Sequence, residues 1–129
     1  MTRVIVRKSS YDGDELMPLF CDMMTALGGD RIHRGSRVLI KPNLLSPAFP
    51  EQALLTHPAV IRAAVAYVLQ KGAEPVVADS PAIGSFEKIL RDGGIRKTLQ
   101  GLDVEIRPLR ESVKADVGAP FGRIEVAAD

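Results

Sequence analysis

The sequence predicts an α/β domain, a three-layer αβα arrangement built on a mostly parallel sheet. Three observations carry that expectation. Short β-branched runs alternate with stretches whose apolar residues recur every three or four positions, the pattern of strands joined by helical crossovers. Two runs, "SRVLIK" and "EPVVAD", are almost continuously apolar, as suits strands covered on both faces. Both lead into polar residues with a proline, Lys41-Pro42-Asn43 and Asp79-Ser80-Pro81, which stops a ladder and stiffens the turn beyond it.

Each element has its own signal. "RVIVR" (Arg3 to Arg7) is rich in β-branched residues and reads as a first strand. After the turn signal "SYDGD", Leu16, Phe20, Met23, Met24 and Leu27 share one helix face, and Gly28-Gly29 stops it. Ser36 to Lys41 is the second strand. Pro58 then opens a helix capped by Thr56 or His57, with a core stripe of Val60, Ile61, Ala64, Val65, Val68 and Leu69, and Gly72 ends it. Glu74 to Asp79 is the third strand. Ser85 caps a short helix that turns Phe86, Ile89 and Leu90 inward before Gly93-Gly94, and Ile95 to Gln100 adds a helical turn. Asp103 to Leu109 is the fourth strand. "VKADV" and "GRIEVAA" alternate apolar and polar residues around Gly118-Ala119-Pro120, predicting a hairpin or an antiparallel carboxy-terminal edge pair.

Bulk properties narrow the class. The chain has 129 residues, 46% hydrophobic and 26% charged, enough for one α/β domain spanning residues 1–129. A formal net charge of +1 provides no attraction for nucleic acid or an anionic membrane, and without tryptophan the chain lacks stacking platforms for single strands. No apolar run approaches the roughly 20 residues of a membrane span, and "MTRVIVRKSS" lacks the pattern of a secretory signal. Cys21, the single cysteine, cannot form an internal disulfide and reads as a small buried hydrophobe, so the expected compartment is the cytoplasm. The strand-like "GRIEVAAD" at the chain end predicts an amino-terminal fragment of a larger protein, with apolar edges that favour self-association.

Parallel strands bring their carboxyl ends to one edge, where open α/β sheets bind ligands. There Lys41 offers a positive charge, Asn43 a donor and an acceptor, Asp79 a carboxylate and Ser80 a hydroxyl. His57, just before the helix proline, offers an imidazole ring able to give and take a proton. The candidate assignment follows: Lys41, Asn43 and Ser80 bind an anionic small molecule, and His57 and Asp79 move protons. Each residue also has a structural reading. Lys41 can snorkel or pair with Asp79; Asn43 can make an Asx-turn; Asp79, Ser80 and His57 can cap helical turns. The chain has no G-x-G-x-x-G, no P-loop, no G-x-S-x-G elbow and no cysteine cluster, so no metal site is expected in it.

The ordered set Lys41-Pro42-Asn43, Ser46-Pro47, Thr56-His57-Pro58, Gly72-Ala73 and Asp79-Ser80-Pro81 with Gly84 resembles the amino-terminal half of the family catalogued as domain of unknown function 362. The resemblance covers roughly residues 37 to 85. It implies a longer protein, and many members carry a ferredoxin-like iron–sulfur module after the shared domain. On that basis the whole protein would be a redox-associated enzyme. Any cluster would sit on a carboxy-terminal module beyond this chain, because Cys21 alone cannot ligate one. Two rival readings are a non-catalytic module that binds an anionic metabolite and a purely structural domain. If the two strand ends share an edge, the Lys41 and Asp79 side chains should lie within about 10 Å, since neighbouring strands are roughly 4.8 Å apart.

Overall fold

The strand "EPVVAD", the most buried of the strands, forms the centre of the larger sheet. In the computed structural model, which describes residues 3–128, this strand β2 (Glu74–Asp79) is flanked by β1 (Arg37–Ile40) and β3 (Glu105–Pro108). Both pairings are parallel, with Ile40 opposite Val77 and Asp79 opposite Pro108. Pro75 to Asp79 are all buried, while β1 alternates between exposed and half-buried residues and β3 is half-buried beyond its exposed first residue. The fold is therefore α/β with a mostly parallel sheet. The predicted hairpin is present as β4 (Ser112–Asp116) and β5 (Arg123–Ala127), paired antiparallel in a sheet of their own rather than at the edge of the first.

Four α-helices, α1 (Gly13–Ala26), α2 (Pro58–Gln70), α3 (Phe86–Asp92) and α4 (Ile95–Thr98), and two short 3-10 turns at Gly29–Arg31 and Pro50–Gln52 complete the described elements. Pro58 sits at the start of α2, where its missing N–H costs nothing. Ser85 caps α3 by accepting from the Lys88 backbone N–H at 3.2 Å, as the sequence predicts. The core joins Ile61 and Val65 of α2, Ile89 and Leu90 of α3, and Ile95 with Leu99 to Val77, and Ile40 and Ile106 pack against it. That places the core on the sheet face bearing Ile40, Val77 and Ile106. On the opposite face Arg37, Leu39, Val76 and Arg107 line an open groove of ≈ 290 Å³.

Two expectations need correction. "RVIVR" joins no sheet: Arg3 to Arg7 take no ladder position, and Val4 and Val6 are each 80% exposed. The segment is held instead by α1, with the Arg3 guanidinium donating to the Ala26 carbonyl at 3.0 Å and Ser10 bonded to Glu15. β-branching favours a strand only where a partner edge accepts it. The face of α1 is also less buried than its periodicity suggests: none of its residues is fully buried, and Leu27 just beyond it is 50% exposed. The helix packs chiefly on α2, with the Phe20 and Tyr67 rings edge to face at 6.1 Å, and so is screened on one side only.

The inward face of α3 is fully enclosed at Ile89 and Leu90, both at 0% exposure. Leu90→Ala should therefore cost about 3 kcal/mol of unfolding free energy, measured by urea denaturation, because the side chain leaves a cavity its neighbours cannot fill.

Candidate functional site

Parallel pairing of β1 with β2 determines the geometry of the site. Ile40 is the last ladder residue of β1, so Lys41 steps off the same sheet edge at which Asp79 ends β2. The two side chains meet there, with the Lys41 ammonium donating to Asp79 Oδ1 at 2.7 Å, well inside the expected 10 Å. Asp79 Oδ2 accepts from the Leu44 backbone N–H at 2.7 Å. The aspartate side chain is only 6% exposed, whereas that of the lysine is 59% exposed. Burial pushes the Asp79 carboxyl up, but Lys41 and the backbone N–H groups of Leu44 and Ser80 outweigh it and hold the group below its ordinary value of 3.8.

The loop after Lys41 is closed by a second set of bonds. The Asn43 N–H donates to Thr56 Oγ1 at 2.8 Å, and the Thr56 N–H returns to the Asn43 carbonyl at 3.0 Å. The Asn43 side chain donates to the Leu54 carbonyl at 3.3 Å. This double clasp brings His57, the next residue, to the mouth of the loop. The loop after β2 is fastened to the first one, since the Ala82 and Ile83 N–H groups both donate to the Leu45 carbonyl. Gly84 allows that approach: its φ is +81°, and a Cβ there would lie 2.8 Å from the Pro47 ring.

His57 is the N-cap of α2, its Nδ1 accepting from the Ala59 N–H at 3.2 Å. The neutral ring thus carries its proton on Nε2. Tyr11 stacks on it, with ring centroids 3.6 Å apart and planes within 8°. Tyr11 escaped sequence reasoning because nothing in the spacing of an aromatic 46 residues away marks a stacking partner. The Leu44 backbone N–H escaped it too, since main-chain donors carry no sequence signal.

Ser80 is exposed, and its hydroxyl makes no hydrogen bond among the described residues. The sequence allowed Asp79 and Ser80 to cap a following helical turn, but α3 begins only at Phe86 with Ser85 as its cap. Both carboxylate oxygens of Asp79 are instead turned to Lys41 and Leu44, and residues 80–84 form a loop. Lys41 and Asp79 are thus bonded to each other and Asn43 to the Thr56 end of the same loop, whereas the Ser80 hydroxyl and the His57 ring make no bond to the other three.

No cluster of three or more His, Cys, Asp or Glu able to hold a metal ion occurs among the described residues. Cys21 is half-buried on α1, near Gln70 at 3.8 Å, and one thiol does not suit an iron–sulfur centre. No described helix is long and apolar enough to cross a membrane.

Comparison with known proteins places these features in context. Residues 38–129 match the family model described as Domain of unknown function (DUF362). Over 127 residues the chain is 31% identical to Thylakoid-associated protein sll1697 of Synechocystis sp., covering 97% of this chain and 40% of that protein. The chain thus spans well under half the length of this relative. No solved structure shows significant similarity to this chain.

Two outcomes follow from the loop geometry. In Asp79→Asn the ionised acceptor is lost and stability at pH 7 should fall by about 2 kcal/mol, read from denaturant midpoints. Because folding lowers the Asp79 pKa, its contribution is complete above the unfolded value and disappears as pH falls through the folded one. The wild-type protein should therefore lose its advantage over the variant as pH drops below about 4. Gly84→Ala should cost at least ~1 kcal/mol in the same assay, since a side chain at that φ is strained and also meets Pro47.

Proposed function

The chain belongs to the family described as Domain of unknown function (DUF362), and on that premise we propose that it is the ligand-binding α/β domain of a larger protein, taking an anionic small molecule at Lys41 and Ser80. The observation that carries this reading is the asymmetry of the Lys41–Asp79 pair. The carboxylate is enclosed and its oxygens are occupied, while the ammonium spends one donor on it and stands more than half exposed. An ammonium has three donors, so those left over remain for a ligand, and the exposed Ser80 hydroxyl follows Asp79 directly in the chain. Asp79 is then a positioning residue that aims Lys41, and the Asn43–Thr56 clasp holds the loop on which both depend.

In a catalytic form of this reading His57 moves the proton through Nε2, because its Nδ1 is engaged at the helix cap. Asp79, held ionised, serves as the orienting charge. The redox-associated form draws electrons from a cluster carried on polypeptide outside this chain, to which these residues contribute no ligand. The non-catalytic binding module is favoured by the packing of His57 between its cap bond and the Tyr11 ring, which already accounts for the imidazole. The reading keeps the domain cytoplasmic, in line with an unpaired cysteine; association with a thylakoid is what the relative's name says of that protein.

The test uses inorganic phosphate and malonate as probes, followed by amide chemical shifts. Saturable shifts at Lys41, Leu44 and Ser80 are expected. Ser80→Ala should weaken the binding about fivefold, as loss of one hydrogen bond would, with stability changed by less than ~0.5 kcal/mol. Lys41→Met should abolish it. Absence of saturable shifts, or shifts unaffected by Lys41→Met, would leave the five residues as structural fasteners.

A further inference from the structure

A second concavity lies away from the sheet edge, between α1, α2 and α4. It measures ≈ 320 Å³ and is walled on one side by Leu16 and Met17 of α1. The facing wall is Ala59, Ala63 and Ala66 of α2, whose short side chains keep the two helices from filling the space between them. Its volume falls at the lower end of the range for small-molecule sites, about 300–1,000 Å³.

The polar groups of this groove are unevenly matched. Arg62 and Thr98 line it, and the Arg62 guanidinium donates through Nη1 to the Thr98 carbonyl. That acceptor is neutral, and Arg62 forms no ion pair among the described residues. None of the described lining residues is acidic. The Tyr11 ring contributes a further aromatic surface. Lys41 differs in this respect, because one of its donors is spent on a carboxylate, Asp79. The groove therefore combines apolar walls with an uncompensated cation whose remaining N–H donors suit a carboxylate.

We propose that this groove is a binding site for a small amphipathic carboxylate, with its hydrocarbon body between Leu16, Met17 and the α2 alanines and its carboxylate on Arg62. The ligand is an unbranched or aromatic monocarboxylate of modest size, since the walls provide apolar contact and a single cationic group. The groove adjoins His57 through Tyr11 and Ala59 but uses neither Lys41 nor Ser80, so it does not depend on the function proposed for them. Neutral molecules of the same shape gain the apolar contact alone, and short acids such as acetate gain the charge alone, so only the combination should bind well.

The experiment titrates the intact chain with octanoate, 1-octanol and acetate, followed by methyl and amide NMR. Octanoate should bind at one saturable site, shifting Leu16, Met17 and Ala63 signals, about tenfold more tightly than 1-octanol. In Arg62→Gln the octanoate and octanol affinities should converge. Ala66→Leu, at a half-buried position able to take a larger side chain into the groove, should abolish both; its amide spectrum reports whether it remains folded. Equal affinity for octanoate and octanol in the wild-type chain, an unchanged preference in Arg62→Gln, shifts confined to other surfaces, or no saturable binding would each overturn the proposal.

Discussion

One carboxylate holds the candidate site together. Asp79 ends the central strand, is almost wholly removed from water and joins three parts of the chain: its own strand, Lys41 at the end of β1, and the Leu44 N–H beyond Pro42. A buried charge is stable only when its oxygens are satisfied. The position of the 41–44 loop is therefore dictated by the needs of a group 35 residues away. Removing either acceptor oxygen would release a segment that carries no regular structure of its own.

The rest of the site is arranged around that constraint in a way that separates support from presentation. Asn43 and Thr56 close the first loop, Leu45 receives two N–H groups from the second, and Gly84 lets the second loop lie against Pro47. These contacts consume polar groups that a sequence reading would assign to ligands. Among the five candidate residues they leave Lys41, Asn43 and Ser80 exposed, with His57 held at the helix start. Fixed donors on a rigid frame bind at lower entropic cost than mobile ones, which is why the supporting bonds matter to any ligand.

Where local pattern and tertiary demand agree, the elements fall where the sequence puts them. β2 coincides with its predicted span, Ser85 caps α3, and the carboxy-terminal run is a hairpin. The outer strands are shorter than predicted, four residues each in β1 and β3, because the ladder ends where its neighbour ceases to match it. The failure at "RVIVR" is of another kind. Its residues have the propensity of a strand, but Arg3 is tied to the end of α1 and the segment lies outside the sheet.

By itself the sequence determined the α/β alternation, the proline-stopped strand ends and the presence of Lys41, Asn43, His57, Asp79 and Ser80 near one edge. Those depend on short-range periodicity and on the parallel crossover rule, both readable within a few residues. Tertiary structure alone decided that Asp79 is an internal fastener, that His57 is a stacked cap, that Leu44 contributes a main-chain donor, and that a groove opens between α1 and α2. Those outcomes depend on which distant groups are brought within bonding distance and on which are shut off from water. Neither quantity is a property of any local stretch of chain.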